Sequence, residues 1–193
     1  MIKESFFPTT IYAEDLKLNT NEIAQNIINW SRKDKGVNKT NVNGWHSTTD
    51  MNHKQEYKPL INELFKFVIK VFNEEFLESE PLLGNMWANI NQKGGYNKPH
   101  VHPNSLFSGV YYVKTPPNCG RLICQDPRPG IQTTMPTRKS GELPRNLWRD
   151  IHLEPVENRI IIFPAWLWHQ VEPNQSDNLR ISVSFNFIQR GFE

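Results

Sequence analysis

The hydrophobic period of this chain changes near residue 85, and that change limits the folds open to it. Upstream, apolar residues recur at helical spacing. Ile23, Ile27 and Trp30 fall at i, i+4 and i+7 behind Asn19, with Glu22 placed to complete a capping-box-like start, so the spacing predicts an amphipathic helix over 20–33. Pro59 opens a second helix at a position where its missing N–H costs nothing, and Leu60, Leu64, Val68, Val71 and Phe72 give it an apolar stripe to about Leu77. Pro81 closes this part of the chain, and residues 34–56 read as a polar loop with room for a short strand.

Downstream the period is two. Met86, Ala88 and Ile90 share one face of a strand, and Trp87, Asn89 and Asn91 share the other. Residues 105–114 and 120–125 are further strand candidates, and Arg159–Phe163 reads as a buried strand. Over 178–188, Leu179, Ile181, Val183, Phe185 and Phe187 alternate with Arg180, Ser182, Ser184 and Asn186. Residues 6–13 read as a short strand or extended arm. Helices first and strands afterwards predict an α+β fold, with two helices covering one face of an antiparallel sandwich.

Composition narrows the function. The 193 residues suffice for one domain with a real core, and 22 basic against 20 acidic residues leave a net charge of +2. No global charge draws such a chain to nucleic acid or to a membrane. The start of the chain lacks a signal-peptide apolar run, and no later run is long enough to span a bilayer. Cys119 and Cys124 read as reduced thiols, so the expectation is a cytoplasmic protein.

The chemistry concentrates around residues 97–113. In an extended segment His100 and His102 point the same way, within reach of one metal ion, and Pro99 and Pro103 exclude a helix there. His169 closes Phe163-Pro-Ala-Trp-Leu-Trp-His169, and Arg180-Ile-Ser182 follows it. Together these pieces predict a mononuclear metal site on a β scaffold, although a His-x-His pair alone is weak support. His46, His53 and His152 read as surface or satisfied core residues, and Trp166 and Trp168 as packing residues. By default, Ser182, Ser184 and Asn186 would face solvent.

His100-Val-His102, Ser108-Gly-Val-Tyr-Tyr112, Phe163-Pro…His169 and Arg180-Ile-Ser182-Val-Ser resemble the Fe(II)/2-oxoglutarate-dependent oxygenases over roughly residues 85–188. The branch most similar is that of oxygenases from phages and marine bacteria, with prolyl 4-hydroxylases as more distant relatives; Gly44-Trp-His-Ser47 resembles the same branch more faintly. The resemblance implies a double-stranded β-helix (jelly-roll) with N-terminal helices packed on one face. It divides a single domain, 1–193, into a helical and extended part, 1–82, and a catalytic core, 83–193, carrying a long loop at 126–150. It implies Fe(II), 2-oxoglutarate and O2 as cofactor and co-substrates. His100 and His169 would ligate the metal, with Arg180, Ser182 and Tyr112 holding the distal carboxylate of 2-oxoglutarate. The expected reaction hydroxylates a C–H of a peptide side chain or small molecule, with release of succinate and CO2.

One residue departs from the family pattern. His102 stands where a carboxylate ligand is usual, so it is a candidate third ligand beside two alternatives: water, or a loop carboxylate from Asp50, Asp126 or Asp150. The Pro- and Gly-rich segment 126–150 carries Arg128, Arg138, Lys139, Arg145 and Arg149, and residues 130–145 are expected to form a substrate lid. Two rival readings remain. A cupin would match Gly94 followed by His100-Val-His102, but it leaves Leu106 or Phe107 where a glutamate ligand belongs and gives Arg180 no role. A non-catalytic jelly-roll binding module would hold a closed structural metal or none.

Overall fold

Asn19 caps the first helix as predicted, its side-chain oxygen accepting from the Glu22 N–H at 3.3 Å. In the computed structural model, which describes residues 1–2, 4–133 and 136–189, helix α1 runs Thr20–Ser31 and helix α2 runs Lys58–Glu74. The second helix stops three residues before the predicted Leu77 for a geometric reason. Phe76 takes φ 54°, its N–H donates to the Asn73 carbonyl, and the Leu77 N–H donates to the Phe72 carbonyl at 3.0 Å. That is a Schellman ending, and Leu77 keeps the helical spacing because it folds back onto the core after the helix has ended.

The strands are β1 (Tyr12–Asp15), β2 (Asn41–His46), β3 (Pro81–His100), β4 (Phe107–Lys114), β5 (Leu122–Gln125), β6 (Asp150–Leu153), β7 (Arg159–Pro164), β8 (His169–Val171) and β9 (Arg180–Gln189). They pair antiparallel in the order β1-β7-β4-β9-β3-β8-β5-β6, with β2 also on β3. Strand β3 makes this a curled, two-walled structure. Its first part pairs with β9 from Pro81 to Asn91, the chain bends past Gly94 and Gly95, and Asn97 to His100 pair with β8. Pro81, expected as a boundary, instead opens this strand. Two strands also come from the N-terminal part: β1 extends the sheet edge beside β7, and β2 lies along β3. The fold is the double-stranded β-helix, with two helices on one face.

The alternation in β9 sorts residues between two environments. Ile181, Val183, Phe185 and Phe187 join Phe107, Tyr111, Ile160 and Ile162 in a core shared with Ile27, Leu60, Leu64 and Val68 of the helices. Full burial of such side chains stabilises the fold by about 1.5–3 kcal/mol each. Gly109 on β4 is required here, because a Cβ would lie 2.4 Å from the Phe185 ring and 2.7 Å from the Ile161 carbonyl. The opposite face of the same sheet lines the barrel interior, where Tyr112, Leu122, Cys124, Ile161, Phe163 and Leu167 form a smaller apolar cluster. Ser182 and Asn186 are buried, so the default solvent-facing reading of the polar stripe fails. No helix among the described residues is long and apolar enough to cross a membrane.

Candidate metal centre

His100 ends β3 and His169 opens β8, and the two are register partners across the pair. His102 lies just past β3, where its backbone N–H donates to the Ala165 carbonyl at 2.9 Å. One ring nitrogen from each of the three histidines lies within 4.8 Å of the others. His102 Nε2 and His169 Nε2 are 3.2 Å apart. Two nitrogens each about 2.1 Å from one metal ion and at right angles to each other would lie about 3.0 Å apart, so this spacing suits a shared ion.

The backbone sets the tautomers. His169 Nδ1 lies 2.8 Å from the Leu167 carbonyl and His100 Nδ1 lies 2.7 Å from the Lys98 carbonyl, so each Nδ1–H donates and leaves a lone pair on Nε2. Burial pulls His169 down to about 3, with His100 and His102 adding to it against the Leu167 contact. Burial and then the nearby His100 pull His102 down to about 4, and burial lowers His100 as well. All three imidazoles are therefore neutral at pH 7, the form that ligates metal.

These histidines form one wall of a cavity of about 440 Å³, and Arg180, Ser182 and Tyr112 line it as well. Arg180 is only 1 % exposed. Its guanidinium donates to the backbone carbonyls of Cys119, of Gly120 at 3.4 Å, of Glu172 at 3.0 Å and of Gly95 at 3.5 Å. No carboxylate among the described residues bonds to it. Ser182 stands in register beside Tyr112 on β4, one step along β9 from Arg180 on the same face. Burial pushes the Tyr112 hydroxyl pKa up, with the Arg180 charge acting against it, so Tyr112 is a neutral donor at pH 7.

The structure thus brings together His100, His102, His169, Arg180, Ser182 and Tyr112. It does not bring a loop carboxylate to them. Asp50, Asp126 and Asp150 do not line the cavity: Asp126 is held by Arg128, and Asp50 accepts from Thr48 at 2.5 Å. The described residues of 126–149 do not line it either, while 134 and 135 lie outside the described residues. Part of that segment instead lines a second cavity against the N-terminal arm, with Phe6, Phe7, Arg145 and Trp148. Trp166 and Trp168, expected to pack, are 56 % and 50 % exposed, because their part of the turn before β8 faces outward while Leu167 between them points in. Sequence reasoning passed over His46 and Asn89 as cavity residues. His46 stacks on Trp87 with ring centroids 5.5 Å apart and planes 10° apart.

The residues present fit Fe(II) and 2-oxoglutarate. Neutral imidazoles suit a non-haem iron, and a buried guanidinium without a protein carboxylate suits a dicarboxylate. A family model described as "Putative 2OG-Fe(II) oxygenase" matches residues 85–186. Among curated proteins none matches the chain. Among solved structures, a Pseudomonas putida prolyl-4-hydroxylase is 13% identical with a TM-score of 0.63, covering 95% of this chain and 94% of its own. A Trichoplax adhaerens prolyl hydroxylase, in complex with a hypoxia inducible factor oxygen degradation domain peptide fragment, is 12% identical with a TM-score of 0.66, covering 94% of this chain and 84% of its own. HygX from Streptomyces hygroscopicus, with nickel, 2-oxoglutarate and hygromycin B bound, is 10% identical with a TM-score of 0.62, covering 95% of this chain and 84% of its own. With the family model spanning more than half of it, this chain belongs to the 2-oxoglutarate- and Fe(II)-dependent oxygenases.

Proposed function

We propose that His100, His102 and His169 hold Fe(II), that Arg180 receives the distal carboxylate of 2-oxoglutarate, and that the enzyme hydroxylates a C–H of a peptide side chain or small molecule. Bound Fe(II) supplies the activation of O2, with 2-oxoglutarate leaving as succinate and CO2. The protein's part is binding, orientation and electrostatics. The carbonyls around Arg180 fix the guanidinium fork so that it meets a carboxylate without reorganising, and Ser182 and Tyr112 offer further donors. Tyr112, Leu122 and Phe163 flank the route from Arg180 to the histidines with ring and aliphatic surface that excludes water.

The observation that carries this reading is a distance along β8. His169 opens that strand, and the Glu172 carbonyl that accepts from Arg180 lies one residue past its end. Three residues of extended chain span about 10 Å, a gap suited to a five-carbon dicarboxylate chelated at one end and ion-paired at the other. The same fold accommodates a peptide fragment in the Trichoplax enzyme and hygromycin B in HygX, so both substrate classes suit it. The test is calorimetric titration of 2-oxoglutarate into metal-free and metal-loaded protein without oxygen. Chelation predicts at least tenfold tighter binding with metal, and equal affinity in the two states would contradict it.

A further inference from the structure

The interior face of the sheet beyond Arg180 and Ser182 carries uncharged polar side chains where a barrel core is ordinarily apolar. Asn186 Nδ2 donates to Asn85 Oδ1 at 2.8 Å, and Ser108 Oγ donates to Asn186 Oδ1 at 2.7 Å, so that group is satisfied internally. Asn89 differs. It sits opposite Ser182 on β3, is 5 % exposed, and lines the cavity. Its Nδ2 donates to Ser184 Oγ at 3.1 Å, while its Oδ1 is buried and the protein supplies no partner for it. Exchanging the amide's O and N does not remove the problem, because Ser184 can satisfy either atom but not both. One hydrogen-bonding atom of a buried amide is left for a ligand to complete.

Charge narrows what that ligand can be. Lys39 and Arg180 are the cationic side chains lining the cavity, and among its described residues there is no aspartate or glutamate. A substrate bearing an ammonium group would be desolvated there without a counter-charge, which is costly. The stacked pair of His46 and Trp87 supplies a flat wall, and His46 Nδ1–H donates to the Ser47 carbonyl at 2.6 Å, leaving Nε2 as an acceptor. An uncharged planar N–H donor, as in an amide, meets all of these features.

We propose that Asn89 anchors the prime substrate, and that the group it reads is an uncharged amide of the kind found in a peptide backbone or carboxamide side chain. The proposal rests on the oxygenase reading above and assigns the substrate class of that same cavity. Free amino acids and lysine side chains are excluded by it.

Three probes share one skeleton and differ in charge: N-acetylalaninamide (neutral), alaninamide (cationic) and N-acetylalanine (anionic). Each is titrated by NMR into the full chain loaded with Zn(II) and 2-oxoglutarate. The neutral probe should bind at least tenfold tighter than the cationic one. Asn89→Ala should weaken the neutral probe about tenfold, and 2-oxoglutarate affinity should change less than twofold. Asn89→Asp, nearly the same shape, guards against a folding defect and should shift preference toward the cationic probe. Equal binding of neutral and cationic probes would overturn the proposal. So would failure of all three probes on protein that still takes 2-oxoglutarate, or an equal loss of 2-oxoglutarate in Asn89→Ala, which would move Asn89 to the co-substrate site. Wild-type protein that does not bind 2-oxoglutarate would overturn the oxygenase reading and this proposal with it, a result separate from the probe titrations.

Discussion

Arg180 donates to the Glu172 carbonyl at 3.0 Å, which ties the start of β9 to the residue just past the end of the strand that His169 begins. The proposed metal ligand and the proposed anion receptor are therefore set at a separation fixed by backbone. The surrounding carbonyls orient the guanidinium but carry no full charge, so its positive charge remains for a ligand.

The metal site predicts the first outcome. His100 and His169 are register partners whose Nε2 lone pairs are freed by backbone contacts. Replacing both by alanine should abolish Fe(II), Ni(II) or Zn(II) binding while the circular dichroism spectrum stays native. Undiminished metal content would remove the site.

His102 predicts the second. Its Nε2 lies 3.2 Å from that of His169, and no carboxylate lines the cavity among the described residues. His102→Asp should keep the metal, since aspartate restores the more usual facial pattern. His102→Ala should weaken metal binding by at least the roughly tenfold that losing an outer-shell partner costs. Wild-type affinity in His102→Ala would leave water as the third ligand.

Gly120 carries the third. It adopts φ +86°, and a Cβ would lie 2.4 Å from the Glu172 carbonyl and 2.8 Å from Arg180 Nη1. Gly120→Ala should destabilise the fold by about 1–3 kcal/mol through backbone strain. It should also weaken 2-oxoglutarate binding, because the carbonyls that orient Arg180 must shift. A variant with native affinity would show that Arg180 tolerates movement of its frame.

Acid stability supplies the fourth. Arg121 donates to both Glu172 carboxylate oxygens, at 2.8 Å and 2.9 Å, and holds that carboxyl down at about 2 against an ordinary value of 4.5. A carboxyl whose folded value is depressed contributes stability that is fully present above its unfolded value and is lost as pH falls through the folded one. Unfolding free energy should therefore drop more steeply between pH 4.5 and 2 in wild type than in Glu172→Gln. The pair is partly exposed and screened by solvent, so at pH 7 the variant should lose less than about 1 kcal/mol. Parallel pH profiles for the two proteins would contradict the assignment.

How much of this was legible in the sequence depends on the range of the interaction. The cap at Asn19, the helix start at Pro59 and the alternation of β9 are local, and they read correctly. The histidines and Arg180 were readable as motifs, although only the pairing of β3 with β8 brings His100 against His169. The three-residue β8 and four-residue β6 are too short for periodicity to register. The lid expectation for 130–145 concerns a substrate-bound state; here the connection between β5 and β6 lines the second cavity beside the N-terminal arm with Asp126–Arg128 and Arg145–Arg149. Asn89 was visible as one of alternating polar residues in Trp87-Ala-Asn-Ile-Asn91. Reading it as a cavity residue required knowing that both faces of β3 are covered.

The most direct test of the central claim is calorimetric titration of 2-oxoglutarate into oxygen-free, metal-loaded protein and into Arg180→Ala. Removing one partner of a buried charge pair costs on the order of 3–5 kcal/mol. At 1.4 kcal/mol per tenfold, the variant should bind 2-oxoglutarate roughly a hundredfold or more weakly. Its metal affinity should be unchanged, and Arg180→Lys should rescue poorly because the ammonium lacks the planar fork. No binding to wild type, or equal binding to both proteins, would contradict the account.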